Sequence, residues 1–216
     1  MSENAATEKP LRRDAEENRQ RLLAAAREVF AEQGLEATMD DVANHAGVGV
    51  GTAYRRFANK EELIDALFRE RVGELAEIAE RALVSEDPWQ GVVSYLEEAV
   101  ALSAGDKGFK ELILSPPLGR DFVDEARQRL EPQVDALVAR AHRAKVLRPG
   151  IESTDLVMII LMLSQISFYR HDAKQPPWRR FLTLVVEGIG PQARGPLPGA
   201  ALRPEEQGEL LQGVRS

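Results

Sequence analysis

The sequence predicts an all-α chain: a small N-terminal head of three helices, joined by a long helix to a larger helical body. Three observations carry this. Apolar residues recur at helical spacing along most of the 216 residues, and no stretch alternates as a half-buried strand does. Residues with helix-starting and helix-stopping chemistry flank nearly every periodic stretch. Residues 38–63 spell a short helix, a glycine turn and a second short helix.

The first helix is expected from about Ala15 to Gln33, with Leu22, Ala26, Val29 and Phe30 on one face and Gly34 as its stop. Thr38 followed by Asp41 resembles a capping box, with Asp in place of the usual Glu or Gln. Val42 and Ala46 share a face of the short helix that follows. Gly47 falls where the chain must turn sharply, a place suited to a residue without a Cβ. Small Ala43 lets a second helix cross closely, and Val48 fills the corner. That second helix, Val50 to Phe57, turns Ala53 and Phe57 inward. Val50, Thr52, Tyr54 and Arg55 supply apolar, hydroxyl, aromatic and cationic groups suited to phosphates and base edges. Two short helices set in this way form a DNA-reading device rather than a catalytic site.

Beyond the turn, Asn59 and Glu62 cap a helix whose apolar stripe runs from Leu63 to about Val84, long enough to join head and body. Asp87-Pro88 marks the next start, an N-cap followed by a first-turn proline, for a helix carrying Trp89, Val92, Tyr95, Leu96, Ala99 and Leu102 and closed by Gly105. A brief helix follows over Phe109 to Leu114. A longer one spans about Asp121 to Ala144, and Pro132 is expected to kink or split it. Ser153 or Thr154 opens an apolar helix to about Tyr169, and Pro177 opens another through Ile189. From Pro191 onward Pro and Gly recur, so the tail is read as largely mobile, with a weak helix near Glu205 to Leu211.

The run Tyr54-x-x-Phe57-x-x-Lys60, set behind the capped helix and the Gly47 turn, resembles the TetR family of transcriptional regulators. The resemblance covers about residues 14–65 well and the rest only in helical architecture. One departure stands out: the family often opens its recognition helix with Ser or Thr, whereas this chain has Gly49, a weaker N-cap, with Gly51 a second flexible position. The resemblance implies residues 1–13 as a flexible arm, 14–60 as a helix-turn-helix DNA-binding domain, 61–190 as a ligand-binding and dimerisation domain, and 191–216 as the tail. It implies a repressor that binds a near-palindromic double-stranded DNA operator as a homodimer and is released by a small-molecule effector. DNA contacts are then expected from Thr38, Gly49, Val50, Thr52, Tyr54, Arg55 and Lys60, with Arg12 and Arg13 either a charged tail or a minor-groove arm.

For the effector, Trp89, Tyr95, Phe109, Met158, Met162, Gln165 and Tyr169 are the candidate lining residues, and plain core or dimer seam is the competing reading for each. Leu156 to Leu163 is apolar on all sides, so one face needs a cover the chain itself does not supply. The family resemblance makes segments 153–169 and 177–189 half of a four-helix dimer interface.

Charge constrains the reading. The net charge of −7 runs against simple DNA binding, yet residues 1–60 carry nine Lys and Arg against ten Asp and Glu, and the remainder nineteen against twenty-five. The head is near neutral and the body acidic, which discourages nonspecific wrapping. The absence of cysteine excludes disulfides and thiolate clusters and fits a reducing compartment. The N-terminal residues carry no basic-then-apolar signal, and the longest apolar run is far short of the roughly 20 residues a bilayer requires, so a cytoplasmic protein without a membrane is expected. His45, His142 and His171 are scattered, with no paired metal spacing and no nucleophile elbow, so neither an enzyme nor a cofactor is expected. An adaptor using its helix-turn-helix for protein contacts is the alternative.

Overall fold

The computed structural model describes residues 4–104, 106–113, 116–167, 176–192 and 195–213. Every regular element among them is a helix: α1 (Asn4–Gln33), α2 (Met39–His45), α3 (Val50–Arg56), α4 (Lys60–Leu83), α5 (Pro88–Ser103), α6 (Lys107–Ile113), α7 (Pro116–Arg143), α8 (Ser153–Ile166), α9 (Pro177–Ile189) and α10 (Pro204–Gly213). Two compact units result, Met1–Glu70 with Asp106–Leu112, and Arg71–Gly105 with Ile113–Ser216.

In the first unit α1 reaches back to Asn4, because the residues before Ala15 are mostly good helix formers. It buries Leu22, Ala26, Val29 and Phe30, and α2 and α3 both pack on it. Gly34 ends the helix at φ +81, its N–H donating to the Phe30 carbonyl at 2.9 Å. The short helix α6, from much later in the chain, packs here too. Phe109 stacks on Phe68 with ring centroids 5.9 Å apart, and a Cβ on Gly108 would lie 2.8 Å from the Phe30 Cβ. Lys107 donates to the Gln33 carbonyl at 2.8 Å, and the Glu111 carboxylate accepts the Leu35 N–H at 2.6 Å. Two side chains of α6 thus satisfy backbone groups that the end of α1 leaves open.

In the second unit α5 is the central helix, packed against α7, α8 and α9. Asp87 accepts the Trp89 N–H at 2.8 Å and Pro88 takes the first turn, as the sequence predicts. A Cβ on Gly91 would lie 2.5 Å from the Ala82 carbonyl oxygen, so glycine is what lets α5 cross the end of α4 so closely. Arg140 of α7 donates to the Leu83 carbonyl at 2.9 Å and to the Ser85 carbonyl, closing the C-terminus of α4. Pro132 does not split α7, which runs unbroken from Pro116 to Arg143. Pro132 and Gln128 are both exposed, so the carbonyl that loses its amide partner meets water. α8 opens at Ser153, one of the two expected starts, with Glu152 as its N-cap, and the Asp155 carboxylate accepts the Glu152 N–H at 2.9 Å.

The C-terminal segment carries α10, which packs against α7. Gln207 donates to the Thr154 carbonyl at 3.4 Å, and Arg148 donates to the Gly195 carbonyl at 2.8 Å. No described helix is long and apolar enough to cross a membrane.

Candidate nucleic-acid interface

The reading unit is built from reciprocal local bonds. Thr38 Oγ1 accepts the Asp41 N–H at 3.2 Å, while the Asp41 carboxylate accepts the Thr38 N–H at 2.8 Å and its hydroxyl at 2.6 Å. The Thr38 side-chain and backbone hydrogen bonds hold the Asp41 pKa below the usual carboxylate range, outweighing a small desolvation penalty. α2 closes at Ala46, and Gly47 takes the left-handed conformation, φ +66. The Gly47 N–H donates to the Asn44 carbonyl and the Val48 N–H to the Ala43 carbonyl, which turns the chain through the corner.

α3 starts on Gly49 without a side-chain cap. Its first amides are served by the backbone, with the Thr52 and Ala53 N–H groups donating to the Gly49 carbonyl at 2.7 and 3.2 Å. Ala53 is fully buried against the rest of the unit and fixes the rotation of α3. That rotation turns Val50, Gly51, Tyr54 and Arg55, spaced as neighbours on one helical face, away from the core. Tyr54 is 49% exposed and Arg55 and Gly51 are exposed. Arg55 Nη2 donates to Thr52 Oγ1 at 3.0 Å, so Thr52 orients the arginine. The exit is fixed by Phe57, buried beneath the guanidinium of Arg19 at 5.2 Å. The Ala58 N–H then bonds the Glu62 carboxylate at 2.6 Å, and the Glu62 N–H bonds Asn59 Oδ1 at 2.8 Å.

Gly49, Val50, Thr52, Tyr54 and Arg55 therefore gather on or beside one face of α3. Thr38 is exposed but committed to its cap. Lys60 is half-buried with its ammonium donating to the Leu35 carbonyl, so in this structure it ties the head together. The groups that local sequence reading does not reveal are Arg19 on Phe57, His45 bonded to Glu28 at 2.7 Å, and the α6 pair at the end of α1. Each partner lies 17 or more residues away, and no local spacing signals it.

The body residues divide. Tyr95 is fully buried and Trp89 half-buried, its ring 3.3 Å from where a Gly190 Cβ would stand. Phe109 is not with them: its stacking on Phe68 places it in the first unit. Met158, Met162 and Gln165 share a face of α8, and Met162 is 56% exposed, whereas Leu156, Ile159, Ile160 and Leu163 form the buried face. Tyr169 and His171 lie outside the described residues. His142 bonds the Ile151 carbonyl at 2.8 Å, a structural contact. Among the described residues no group of three or more His, Asp or Glu side chains is placed to hold a metal.

Residues 22–67 match the model for bacterial regulatory proteins of the tetR family, and residues 87–191 match the C-terminal domain of SbtR-like transcriptional regulators. The HTH-type transcriptional regulator SrpR of Pseudomonas putida is 31% identical over 73% of this chain and 72% of its own length. Among solved structures, the TetR transcriptional regulator SCO0520 from Streptomyces coelicolor superposes with a TM-score of 0.60 at 30% identity, over 81% of this chain and 99% of that one. FadR from Bacillus subtilis, solved in complex with stearoyl-CoA, superposes at 0.61 over 79% and 98%; at 22% identity it shows the shared fold.

Proposed function

The chain belongs to the TetR family of bacterial transcriptional regulators, and from that premise we propose that it acts as a cytoplasmic homodimeric repressor whose hold on an operator is released by a small-molecule effector. It is a DNA-binding regulator and not an enzyme. The observation that carries DNA reading is the outward face of α3, where Tyr54 and Arg55 stand clear of the core while Ala53 locks the helix from behind. A helix so presented suits a major groove, with Arg55 reaching a guanine edge or a phosphate.

A second copy is favoured by the surface of α8 and α9. Met158, Leu161, Met162 and Gln165 on α8, and Phe181, Leu184, Val185 and Gly188 on α9, each follow the spacing of one helical face. Phe181 is 42% and Leu184 56% exposed, and nothing lies within 4 Å of where a Gly188 Cβ would be. Pairing two such faces across a two-fold axis buries them and sets two α3 helices against two half-sites. An effector weakens operator binding only if it prefers the dimer conformation that fits DNA poorly.

The test is fluorescence anisotropy with duplex DNA from upstream of the chain's own coding region, titrated across salt concentrations. Binding should fall steeply with salt, and Arg55→Ala should weaken it with the dimer intact and flatten the log–log salt slope by about one per lost phosphate contact. Lys60→Ala is a poorer probe, since it also removes the bond to the Leu35 carbonyl. A salt-insensitive response, or no duplex binding, would sink the regulator reading and favour protein contacts instead.

A further inference from the structure

Arg19 belongs to α1, yet its guanidinium covers the ring of Phe57, 5.2 Å from the centroid. Phe57 is the C-cap of α3 and directly follows Arg55 and Arg56, so three guanidinium groups belong to one end of the reading helix. Among the described residues none of the three is in an ion pair, and Arg55 has only its bond to Thr52 Oγ1. Elsewhere in the same unit cations are matched: Arg27 with Glu70, Arg69 with Asp65, His45 with Glu28. Of the acids that follow α3, Glu62 is committed to the Ala58 N–H at 2.6 Å. In a chain with 35 Asp and Glu against 28 Lys and Arg carboxylates are not scarce, so cations left unmatched together suit an anion from outside.

The stacking on Phe57 sets what Arg19 offers. A guanidinium stacks through its face and keeps its N–H donors along the edge. Arg19 is half-buried, and among the described residues its nitrogens have no acceptor and still reach solvent. A braced guanidinium with a free edge fits the paired oxygens of a phosphate. α3 has seven residues, about 10 Å of helix, and the major groove is about 12 Å wide, so the end of α3 stands close to the phosphates that wall the groove. Arg21 is the natural contrast. It is exposed, makes no ion pair among the described residues, and projects about 200° around α1 from Arg19, away from Phe57.

We propose that Arg19 is a DNA-backbone contact: its guanidinium, braced on Phe57, binds a phosphate at the C-terminal end of α3 when that helix lies in the major groove. The inference rests on the DNA-reading function of the head and adds a residue of α1 to it. Arg19 then contributes affinity whatever the base sequence, while the outward side chains of α3 meet base edges.

The experiment uses the full-length protein, the duplex from upstream of its coding region, and a scrambled duplex of the same length and composition. Anisotropy titrations are run between 50 and 200 mM salt, about the range over which phosphate contacts are counted from the log–log slope. Arg19→Met keeps an apolar cover over Phe57 and removes the charge. It should weaken both duplexes alike, by about tenfold at the low-salt end, and flatten the slope by about 0.9. The deficit should therefore shrink by about 3.5-fold across that salt range. Arg19→Lys should keep the native slope, and Arg21→Met should leave slope and affinity unchanged. A variant that only loosens the head binds more weakly at an unchanged slope, so the slope separates a phosphate contact from a structural role. Circular dichroism identifies any variant that fails to fold, and Arg19→Gln is the second uncharged replacement, expected to behave as Arg19→Met. A native slope in the folded uncharged variant, a loss confined to the upstream duplex, an equal loss in Arg21→Met, or a slope in Arg19→Lys as flat as in Arg19→Met would each overturn the proposal. If the native chain binds neither duplex, the DNA-reading function falls and this contact with it. If native binding is salt-dependent and the uncharged variants keep its slope, the contact alone falls.

Discussion

Replacing Gly34 with alanine perturbs the end of α1 in two separable ways. The backbone there has φ +81, a left-handed conformation that disfavours an L-residue by about 1–2 kcal/mol. A Cβ would also stand 2.5 and 2.7 Å from the two carboxylate oxygens of Glu111. That carboxylate ends a flexible side chain, so it moves rather than resists, and in moving it gives up its bond to the Leu35 N–H. The Glu111 side chain is 32% exposed, so water recovers part of the loss, leaving about 1–1.5 kcal/mol, at or just below the low end of the roughly 1.5–3 kcal/mol for a bond to a charged group. The sum of the two effects is about 2–3.5 kcal/mol. Gly47→Ala is the internal control, because Gly47 has φ +66 and nothing lies within 4 Å of where its Cβ would stand, so it incurs the backbone cost alone. Urea denaturation followed by far-ultraviolet circular dichroism gives the global effect. Amide exchange at Leu35 gives the local one, which matters because a chain of two units need not unfold in one step. On a Glu111→Ala background the cost of Gly34→Ala should fall to that of Gly47→Ala. Equal costs for the two glycines in the native background, or a Gly34→Ala cost indifferent to Glu111, would refute the reasoning.

Gly91→Ala should destabilise the second unit by about 1–3 kcal/mol, because its Cβ meets the backbone carbonyl of Ala82, which no rotamer change relieves; a variant as stable as the native chain in urea would contradict so close a crossing. Gly51→Ala adds a methyl to α3 where no atom lies within 4 Å, so it should stabilise the free helix by about 0.5–1 kcal/mol and slow amide exchange there, whereas faster exchange would argue against a helical Gly51. Asp41 has its folded pKa below the ordinary 3.8 and its unfolded value near it, so its capping contribution is complete above the unfolded value and is lost as pH falls through the folded one. Carboxyl titration by NMR should show the Asp41 midpoint rise in Thr38→Ala, and an unmoved midpoint would contradict the assigned cause.

The reading unit is legible in the sequence because its determinants are local. Thr38 and Asp41 are three residues apart and complete one another's bonds, Gly47 turns the chain close to its hydrogen-bond partners, and Ala53 and Phe57 bury at helical spacing. The same locality exposes Asp87-Pro88 and the start of α9 at Pro177. Pro132 does not split α7, because whether a proline breaks a helix depends on whether the carbonyl it orphans can reach water, which is a matter of exposure that spacing does not show. Phe109 misleads as a body residue because its aromatic character does not say which neighbour it will stack on.

By itself, then, the sequence determined the helical class, the capped helix-turn-helix and the family to which it belongs, since each depends on residues within about one or two helical turns of each other. Only the tertiary structure decided that α6 closes the end of α1, that Lys60 turns to the Leu35 carbonyl, and that Tyr95 holds a buried hydroxyl without a partner. Those outcomes depend on groups brought together from distant parts of the chain, and burial and hydrogen-bond satisfaction are properties of that assembly rather than of any residue's spacing.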